Sequence, residues 1–208
     1  MGDAEGEPRG GVLVIHENKG LTDHIRSVAG RLAASGYAAL APDLLSEEGG
    51  TAAIGDPAKV TATLGTVPPT RFIADLRAAL TELSARVEDR KLGAVGFCFG
   101  GGLVWRLLAA GEPGSAPPSR STARCPTSRT SPLGRGRARH LRRTGRPGQR
   151  QPRRRRGGVR AAGLPHEIVT YPGVDHAFFN DTGPRYNAEA AADAYQRVLN
   201  WFDRYLSA

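Results

Sequence analysis

The sequence predicts an α/β fold in which helices cover both faces of a mostly parallel sheet. Short apolar runs rich in β-branched residues alternate with amphipathic helical patterns. The segments between these runs are long enough for the crossover helices that parallel strands require. A glycine-rich turn, Gly96–Gly101, joins one of the strands to a helix. The 208 residues, 39% of them hydrophobic, are typical of a single globular domain.

The first elements are indicated by adjacent patterns. Gly11–Ile15 is a continuous apolar run, typical of a strand that is covered on both faces. Thr22 or Asp23 can cap the following helix, and Gly36 ends it. The apolar positions of this helix recur at spacings of three and four, at Ile25, Val28, Ala29 and Leu32. Tyr37–Ala41 indicates a second strand, which the next proline stops.

The later elements continue this alternation. A second amphipathic helix precedes a strand at Leu92–Gly96, and its apolar positions are Phe72, Ile73, Leu76, Leu80, Leu83 and Val87. A further strand is predicted at His166–Tyr171, with a turn at Pro172 and Gly173. The last helix is predicted at Ala188–Leu206, with an apolar face formed by Tyr195, Val198, Leu199, Phe202 and Leu206.

The positive charge of the chain is confined to its centre. Gly114–Arg160 is 47 residues long, with 15 arginines and no lysine, aspartate or glutamate. Because the whole chain carries +9 and this segment +15, the remainder carries −6. The segment also has no aromatic residue, so it cannot bury enough apolar surface to offset the entropy of ordering it. We expect the sheet to be disrupted here, by a segment that is either disordered or misread.

Composition also bears on location and redox state. No stretch approaches the roughly 18 apolar residues that a membrane-spanning helix needs. The first residues lack the apolar core of a signal peptide. We therefore expect a cytoplasmic protein with no membrane partner. The two cysteines, Cys98 and Cys125, are too few for a disulfide framework, and each is expected to be a thiol.

Gly96–Gly101 carries the most specific chemical signal. It has the G-x-nucleophile-x-G pattern of an α/β-hydrolase elbow, with Cys98 at the nucleophile position. Its glycines suit a turn so tight that side chains would collide with the neighbouring strand and helix. The start of the following helix favours a thiolate and a developing oxyanion. The alternative is a buried structural cysteine in a glycine-rich turn.

A thiol nucleophile needs a base, and the chain has five histidines. His176 follows a strand and turn, downstream of Cys98 in the order that α/β-hydrolases use. The alternative is a histidine in a surface loop. His16 lies at the end of the first strand, and Glu17 begins the loop after it, where an α/β-hydrolase keeps its second oxyanion donor. Glu17 is either part of that site or a solvated loop carboxylate.

Four motifs together resemble one family. They are Ile15-His-Glu-Asn-Lys-Gly-Leu21, Tyr37-Ala-Ala-Leu-Ala-Pro-Asp43, Gly96-Phe-Cys-Phe-Gly-Gly101 and Tyr171-Pro-Gly-Val-Asp-His-Ala-Phe-Phe179. The sequence is similar to the dienelactone hydrolases (carboxymethylenebutenolidases) over residues 10–112 and 158–208. This resemblance implies a single α/β-hydrolase domain over residues 1–208, which cleaves a small lactone or ester without a metal or cofactor.

The resemblance also implies roles for individual residues. Cys98 would be the nucleophile, and His176 the base that later protonates the leaving group. Glu17 matches the carboxylate that contacts the resting thiol and helps to deprotonate it. The backbone N–H groups of Asn18 and Phe99 would form the oxyanion hole.

Two departures from the family concern substrate and triad. Asn180 stands where the enzymes of aromatic-ring degradation have an arginine that holds the substrate carboxylate, and Arg185 is near it in sequence. The family's triad aspartate would fall in the arginine-rich segment, which has no acidic residue. Asp175 adjoins His176, but side chains adjacent at a turn rarely face each other. The triad acid is therefore unknown, and a dienelactone is not assured as the substrate.

The arginine-rich segment has the composition that a GC-rich gene gives when it is translated out of frame. A shift of one base through Arg139–Arg150 permits the peptide GIYGELDARVNA. A shift of two bases through Ser119–Pro126 permits PFYGPVPD. Both peptides resemble strands and the acid loop of the family, and the permitted aspartate codon overlaps Gly145. We infer that the gene is damaged or was misread in this segment.

Two other functions stay open from the sequence alone. The arginine-rich segment could bind nucleic acid on an inactive hydrolase fold. It lacks lysine and aromatic residues for base stacking, which disfavours that function. A non-enzymatic binding protein on the same fold is the other alternative, because a fold does not fix a function. The natural substrate and the oligomeric state are not indicated.

Overall fold

The computed structural model describes residues 6–109, 123–124, 167 and 169–206. The chain divides into two compact units, Met1–Thr127 with Tyr195–Ala208, and Ser128–Ala194. The expected disorder or misreading of residues 114–160 concerns a segment that, apart from the backbone of 123–124, lies outside the described residues. Cys125 lies outside them as well.

The strands of the first unit form one parallel sheet in the order β2-β1-β3-β4. The strands are β1 (Gly11–Ile15), β2 (Ala38–Leu40), β3 (Leu92–Gly96) and β4 (Ala123–Arg124). Each pairs in parallel with its neighbour, and Ile15 of β1 lies opposite Gly96 of β3. The predicted fold class and parallel sheet are confirmed.

The described helices, all but the last of which lie between successive strands, supply the crossovers that parallel strands require. They are α1 (Asp23–Ala34), α2 (Thr51–Ile54), α3 (Pro57–Thr66), α4 (Pro69–Arg86), α5 (Phe99–Ala109) and α6 (Ala188–Leu206), with a 3₁₀ turn at Ser46–Glu48. The sequence analysis did not predict α2 or α3. A local signal for α3 is nevertheless present, because the Asp56 carboxylate accepts the Ala58 N–H at 2.7 Å and Pro57 occupies the first turn.

Helices pack on both faces of the sheet. A methyl group on Gly11 of β1 would lie 2.9 Å from Leu83 of α4. A methyl group on Gly93 of β3 would lie 2.9 Å from Phe202 of α6. Gly11 is paired with Leu92, so Gly93 faces the opposite side of the sheet. The two glycines therefore let a helix approach each face closely.

The main core lies between the sheet and helices α4 and α5. Leu13 and Ile15 of β1 pack there with Leu76 of α4 and Leu103 of α5, and all are buried. On the opposite face, the Tyr37 ring meets Phe202 edge-on at a centroid distance of 5.8 Å. Truncating a fully buried leucine such as Leu76 to alanine typically costs about 2–5 kcal/mol of stability. This packing reaches Ile15, the last residue of β1, at the carboxyl edge of the sheet.

The predicted strand at His166–Tyr171 is wrong at every described position. Glu167 and residues 169–171 have no strand structure, while positions 166 and 168 lie outside the described residues. A β-rich composition gives a strand only when a neighbouring strand pairs with it, and these positions pair with no described strand. The following turn is confirmed, because Gly173 has a φ of 74° and the Val174 N–H bonds the Tyr171 carbonyl at 3.4 Å.

Candidate active site

Cys98 occupies the turn between β3 and α5. Its φ is 49°, a left-handed conformation that is rare for a residue other than glycine and is found at strained functional turns. The Cys98 carbonyl accepts the Gly102 N–H at 3.2 Å, and the Phe97 carbonyl accepts the Gly100 N–H at 2.8 Å. Cys98 is exposed. The alternative of a buried structural cysteine is therefore wrong.

The two glycines of the elbow are needed for close backbone contacts. A methyl group on Gly96 would overlap the Gly100 carbonyl oxygen and lie 2.7 Å from the Gly101 nitrogen. A methyl group on Gly100 would overlap the Ile15 carbonyl oxygen and lie 2.5 Å from that of His16. These are backbone atoms that cannot move aside. The G-x-C-x-G pattern thus reflects a turn pressed against the end of β1.

The elbow and the loop after β1 lie at the same edge of the sheet. The Phe97 N–H donates to the Ile15 carbonyl at 3.1 Å. Because Ile15 is in register with Gly96, Glu17 and Cys98 each lie two residues beyond a paired position. The carboxyl ends of two neighbouring parallel strands therefore place the candidate nucleophile and the candidate carboxylate at the same edge of the sheet.

Glu17 is a buried residue, with 9% of its surface exposed. The alternative of a solvated loop carboxylate is therefore wrong. Burial of a carboxylate is costly unless it is compensated, and such groups concentrate at functional sites. Its backbone carbonyl accepts two hydrogen bonds, from the His16 ring at 2.7 Å and from the Gly20 N–H at 3.2 Å.

His16 is fully buried behind this loop. Its Nε2 accepts the Leu44 N–H at 3.2 Å, so the ring proton of the neutral form lies on Nδ1 and is donated to the Glu17 carbonyl. Burial lowers the pKa of His16 below its ordinary value and favours this neutral form, against the smaller opposing effects of its hydrogen bond to Glu17 and of the Asp43 carboxylate. The sequence analysis assigned His16 no role.

Asp43 and Thr51 hold the other end of the loop. The Asp43 carboxylate accepts the Thr51 N–H at 2.7 Å and the Thr51 hydroxyl at 2.8 Å. The Thr51 hydroxyl oxygen accepts the Leu21 N–H at 3.0 Å. The Thr61 hydroxyl of α3 lies 2.9 Å from both the Asn18 and the Pro57 carbonyl oxygens and shares its one proton between them. The side chains of Thr51 and Thr61, from two other segments, thus anchor the loop that carries Glu17 and Asn18, and Asp43 holds Thr51 in turn.

The two candidate oxyanion donors are the N–H groups of Asn18 and Phe99. Phe99 is the first residue of α5, and the first N–H groups of a helix have no acceptor within it. Among the described residues, neither of these two N–H groups has a hydrogen-bond acceptor. Two N–H groups at one sheet edge, one at a helix N-terminus, can stabilise negative charge on oxygen.

His176 belongs to the second unit, where it is half-buried in a turn. Its neighbour Ala177 has a φ of 66°, and the Ala177 carbonyl accepts the Asn180 N–H at 3.0 Å. The Phe178 carbonyl accepts the Asn187 N–H at 3.0 Å, which ties the turn to the approach to α6. Its pairing with Cys98 stays a prediction.

Asn180 has a structural role in its own loop. Its side-chain oxygen accepts the Thr182 N–H at 3.0 Å and the Thr182 hydroxyl at 2.7 Å. This is an Asx-type turn, for which asparagine is well suited. Arg185 is exposed. Over the part of the chain that is described, no group of three histidine, cysteine or acidic side chains could hold a metal ion, and no helix is long and apolar enough to span a membrane.

The chain matches the model of the dienelactone hydrolase family over residues 2–116 and 149–206. A protein of Methylorubrum extorquens assigned as a carboxymethylenebutenolidase is 34% identical over 97% of this chain and 74% of its own length. A protein of Escherichia coli K12 with the same assignment is 32% identical over 93% of this chain and 76% of its own length.

The chain is also similar to solved structures of this family's fold. The crystal structure of a protein from Klebsiella pneumoniae assigned as a dienelactone hydrolase aligns with a TM-score of 0.73 and 26% identity, over 97% of this chain and 89% of that one. A dienelactone hydrolase-like promiscuous phosphotriesterase from metagenomic libraries, 24% identical with a TM-score of 0.69, shares the fold. By its sequence and its α/β-hydrolase-type fold, the chain belongs to the dienelactone hydrolase family.

Proposed function

We propose that this protein hydrolyses a small lactone or carboxylic ester through a covalent intermediate on Cys98. The observation that carries the proposal is the elbow itself. An exposed thiol in a left-handed turn stands at the N-terminus of α5, beside a loop with a buried carboxylate. A helix N-terminus favours the thiolate, and the thiolate is the reactive form.

The proposed reaction begins with attack of Cys98 on the substrate carbonyl carbon. His176 takes the thiol proton, while Glu17 helps to draw that proton away as substrate binds. The new C–S bond converts the carbonyl oxygen into an oxyanion, which the N–H groups of Asn18 and Phe99 stabilise. Collapse of this intermediate breaks the C–O bond, and the leaving oxygen takes the proton from His176.

Deacylation repeats these steps with water. His176 takes a proton from water, the hydroxyl adds to the thioester carbon, and the second oxyanion uses the same two N–H groups. Collapse breaks the C–S bond and releases the carboxylic acid, while His176 returns its proton to the sulfur. A lactone gives one hydroxy acid, and an ester gives an acid and an alcohol.

The substrate class is proposed to be broader than dienelactones. Because the Asn180 side chain bonds Thr182, it is already engaged within its own turn and carries no positive charge. It therefore supplies no counter-charge for a substrate carboxylate. We expect uncharged esters and lactones to be accepted.

The triad acid is the incomplete part of this proposal. No aspartate or glutamate is present between Gly114 and Arg160. Without a carboxylate to orient His176, triad enzymes lose on the order of 10⁴ in rate. The test therefore uses p-nitrophenyl acetate, because its leaving group departs without protonation and acylation depends least on His176.

The test measures p-nitrophenol release before and during the steady state. The parent chain should give a burst followed by slow turnover, because acylation is faster than deacylation. Cys98→Ala should abolish both phases, and Cys98→Ser should leave a trace. Cys125→Ala, outside the elbow motif, is the matched control and should behave as the parent. Undiminished release by Cys98→Ala would refute covalent catalysis at this position.

The remaining sequence-based expectations stay predictions. They are the cytoplasmic location, the use of no metal or cofactor, and the absence of nucleic-acid binding. The arginine-rich segment on which nucleic-acid binding would depend lies outside the described residues, except for the backbone of 123–124.

A further inference from the structure

We propose that His16 is a positioning residue for the oxyanion hole, which it serves by fixing the peptide group that carries the Asn18 N–H. The inference rests on the proposed function, because it assigns a role to a residue behind the same site. His16 does not contact substrate in this account. Its ring acts through the Glu17 carbonyl.

The peptide group between Glu17 and Asn18 is planar. The Glu17 carbonyl and the Asn18 N–H belong to one peptide group, and in a trans peptide they point in opposite directions. The buried His16 ring draws the carbonyl inward with a 2.7 Å hydrogen bond. The Asn18 N–H is therefore directed away from the His16 ring.

The His16 ring can hold the Glu17 carbonyl in one direction because the ring is itself fixed by a second hydrogen bond. Nε2 accepts the Leu44 N–H at 3.2 Å, which leaves the proton on Nδ1 as the donor to Glu17. The ring is fully buried, and burial lowers the pKa of His16 and keeps the ring neutral. A protonated ring could not accept from Leu44, so only the neutral form makes both bonds.

The next peptide group along the chain, which carries the Asn18 carbonyl, is contacted by a side chain of α3. The Thr61 hydroxyl lies 2.9 Å from the Asn18 carbonyl oxygen and shares its proton with the equally near Pro57 carbonyl, and the Gly20 N–H also reaches the Glu17 carbonyl at 3.2 Å. Two successive carbonyls are thus fixed by groups outside the peptide. A preorganised donor of this kind needs no reorganisation when charge develops on the substrate oxygen.

Two substitutions distinguish the two hydrogen bonds that the His16 side chain makes, one with the Glu17 carbonyl and one with the Leu44 N–H. In His16→Asn, the side-chain amide nitrogen occupies the position of Nδ1 and can donate to Glu17. In His16→Gln, the amide oxygen lies near the position of Nε2 and can accept from Leu44, while the amide nitrogen is displaced from the position of Nδ1 that donates to Glu17. The two variants are therefore matched controls for each other.

The readout compares two reactions of the Cys98 thiol, resolved by peptide mass spectrometry. Acetylation by p-nitrophenyl acetate passes through an oxyanion, whereas alkylation by iodoacetamide does not. Loss of one oxyanion donor typically costs about 10²–10³ in rate. We expect His16→Gln to slow acetylation by at least about tenfold with alkylation little changed, and His16→Asn to retain acetylation within about threefold.

Several results would overturn the inference. They are an unchanged acetylation rate in His16→Gln, equal losses in both variants, and parallel losses of acetylation and alkylation. Parallel losses would indicate a general effect on the thiol or the fold. If the parent chain were alkylated but never acetylated at Cys98, the proposed function would fail, and this inference would fall with it.

A measurement on the parent chain avoids the risk that a buried substitution unfolds the protein. A trifluoromethyl ketone that adds to Cys98 places an oxyanion beside the Asn18 N–H. Hydrogen bonds that share a peptide group strengthen each other. We expect the His16 Nδ1–H proton resonance to move downfield when the adduct forms. An unchanged resonance in a fully formed adduct would overturn the role of His16.

Discussion

The N–H of Phe97 donates to the carbonyl oxygen of Ile15 at 3.1 Å, which joins the residue before the candidate nucleophile to the last residue of β1. This bond extends the pairing of β1 and β3 one step past the sheet. A backbone hydrogen bond therefore links the elbow to the strand end that carries the Glu17 loop. Changes at their junction should affect both.

Substitution of Gly100 tests this junction. Gly100→Ala should destabilise the protein by about 1–3 kcal/mol or more, because the added methyl group collides with the backbone of Ile15 and His16. Gly102→Ala is the matched control, two residues further along α5. A methyl group there meets no atom of the described residues within 4 Å, and alanine favours a helix by up to about 1 kcal/mol. Equal unfolding free energies of the two variants in urea would contradict this packing.

Substitution of Glu17 tests the buried carboxylate. Glu17→Gln should slow acetylation of Cys98 while the melting temperature changes little, because glutamine fills the same space without the charge. Stopped-flow acylation and thermal melting measure the two quantities. An acylation rate equal to that of the parent would leave Glu17 with no part in the chemistry.

Acid should destabilise the protein over a pH range that the lowered pKa of His16 determines. Burial outweighs the nearby Asp43 and Glu17 carboxylates and lowers the folded pKa of this ring below 6.5. As the pH falls below about 6.5, the unfolded chain binds a proton that the folded chain excludes, so the unfolding free energy falls by at most about 1.4 kcal/mol per pH unit. Above that pH the contribution is constant.

The control is His16→Gln. In this variant the unfolding free energy should no longer fall as the pH drops just below 6.5. A separate loss below about pH 4.5 should remain, because Arg71 lowers the pKa of Glu48 in the folded state. Urea titrations across this range measure both. Identical profiles for parent and variant would contradict the buried, neutral His16.

The sequence predicted the elements whose patterns are long or continuous. The bounds of β1 and α6 agree with their predicted ranges, because a continuous apolar run and a 19-residue amphipathic face are unambiguous. Helix α2 has only four residues and no buried one, so it leaves no periodic signal. The strand predicted at 166–171 is absent at the described positions, 167 and 169–171, because strand formation depends on a partner, which local composition does not specify.

The candidate site was predictable to the extent that its motifs are local. The exposure of Cys98 follows from the G-x-C-x-G pattern, because glycines on either side force the turn. The hydrogen bond between His16 and Leu44 joins residues 28 positions apart, and no local pattern encodes it. The engagement of Asn180 with Thr182 is local, and the spacing of asparagine and threonine is a signal that could have identified it.

The frame hypothesis predicts a difference between two forms of the chain. The coding DNA for His140 to Gln149 should encode an IYGELD-type peptide when it is offset by one base. The chain translated in the shifted frames should then hydrolyse esters on the order of 10⁴ faster than the 208-residue chain, because His176 gains a carboxylate. Any other offset peptide, or equal turnover by the two proteins, would refute this account.

Peptide mapping of the acyl-enzyme tests the central claim most directly. The parent chain is mixed with p-nitrophenyl acetate, quenched in acid within the burst, digested and analysed by mass spectrometry. The account predicts one acetyl group on the peptide that contains Cys98, and its loss on treatment with hydroxylamine, which cleaves thioesters. Release of p-nitrophenol with no acetyl group on Cys98, or with the group on another residue, would contradict it.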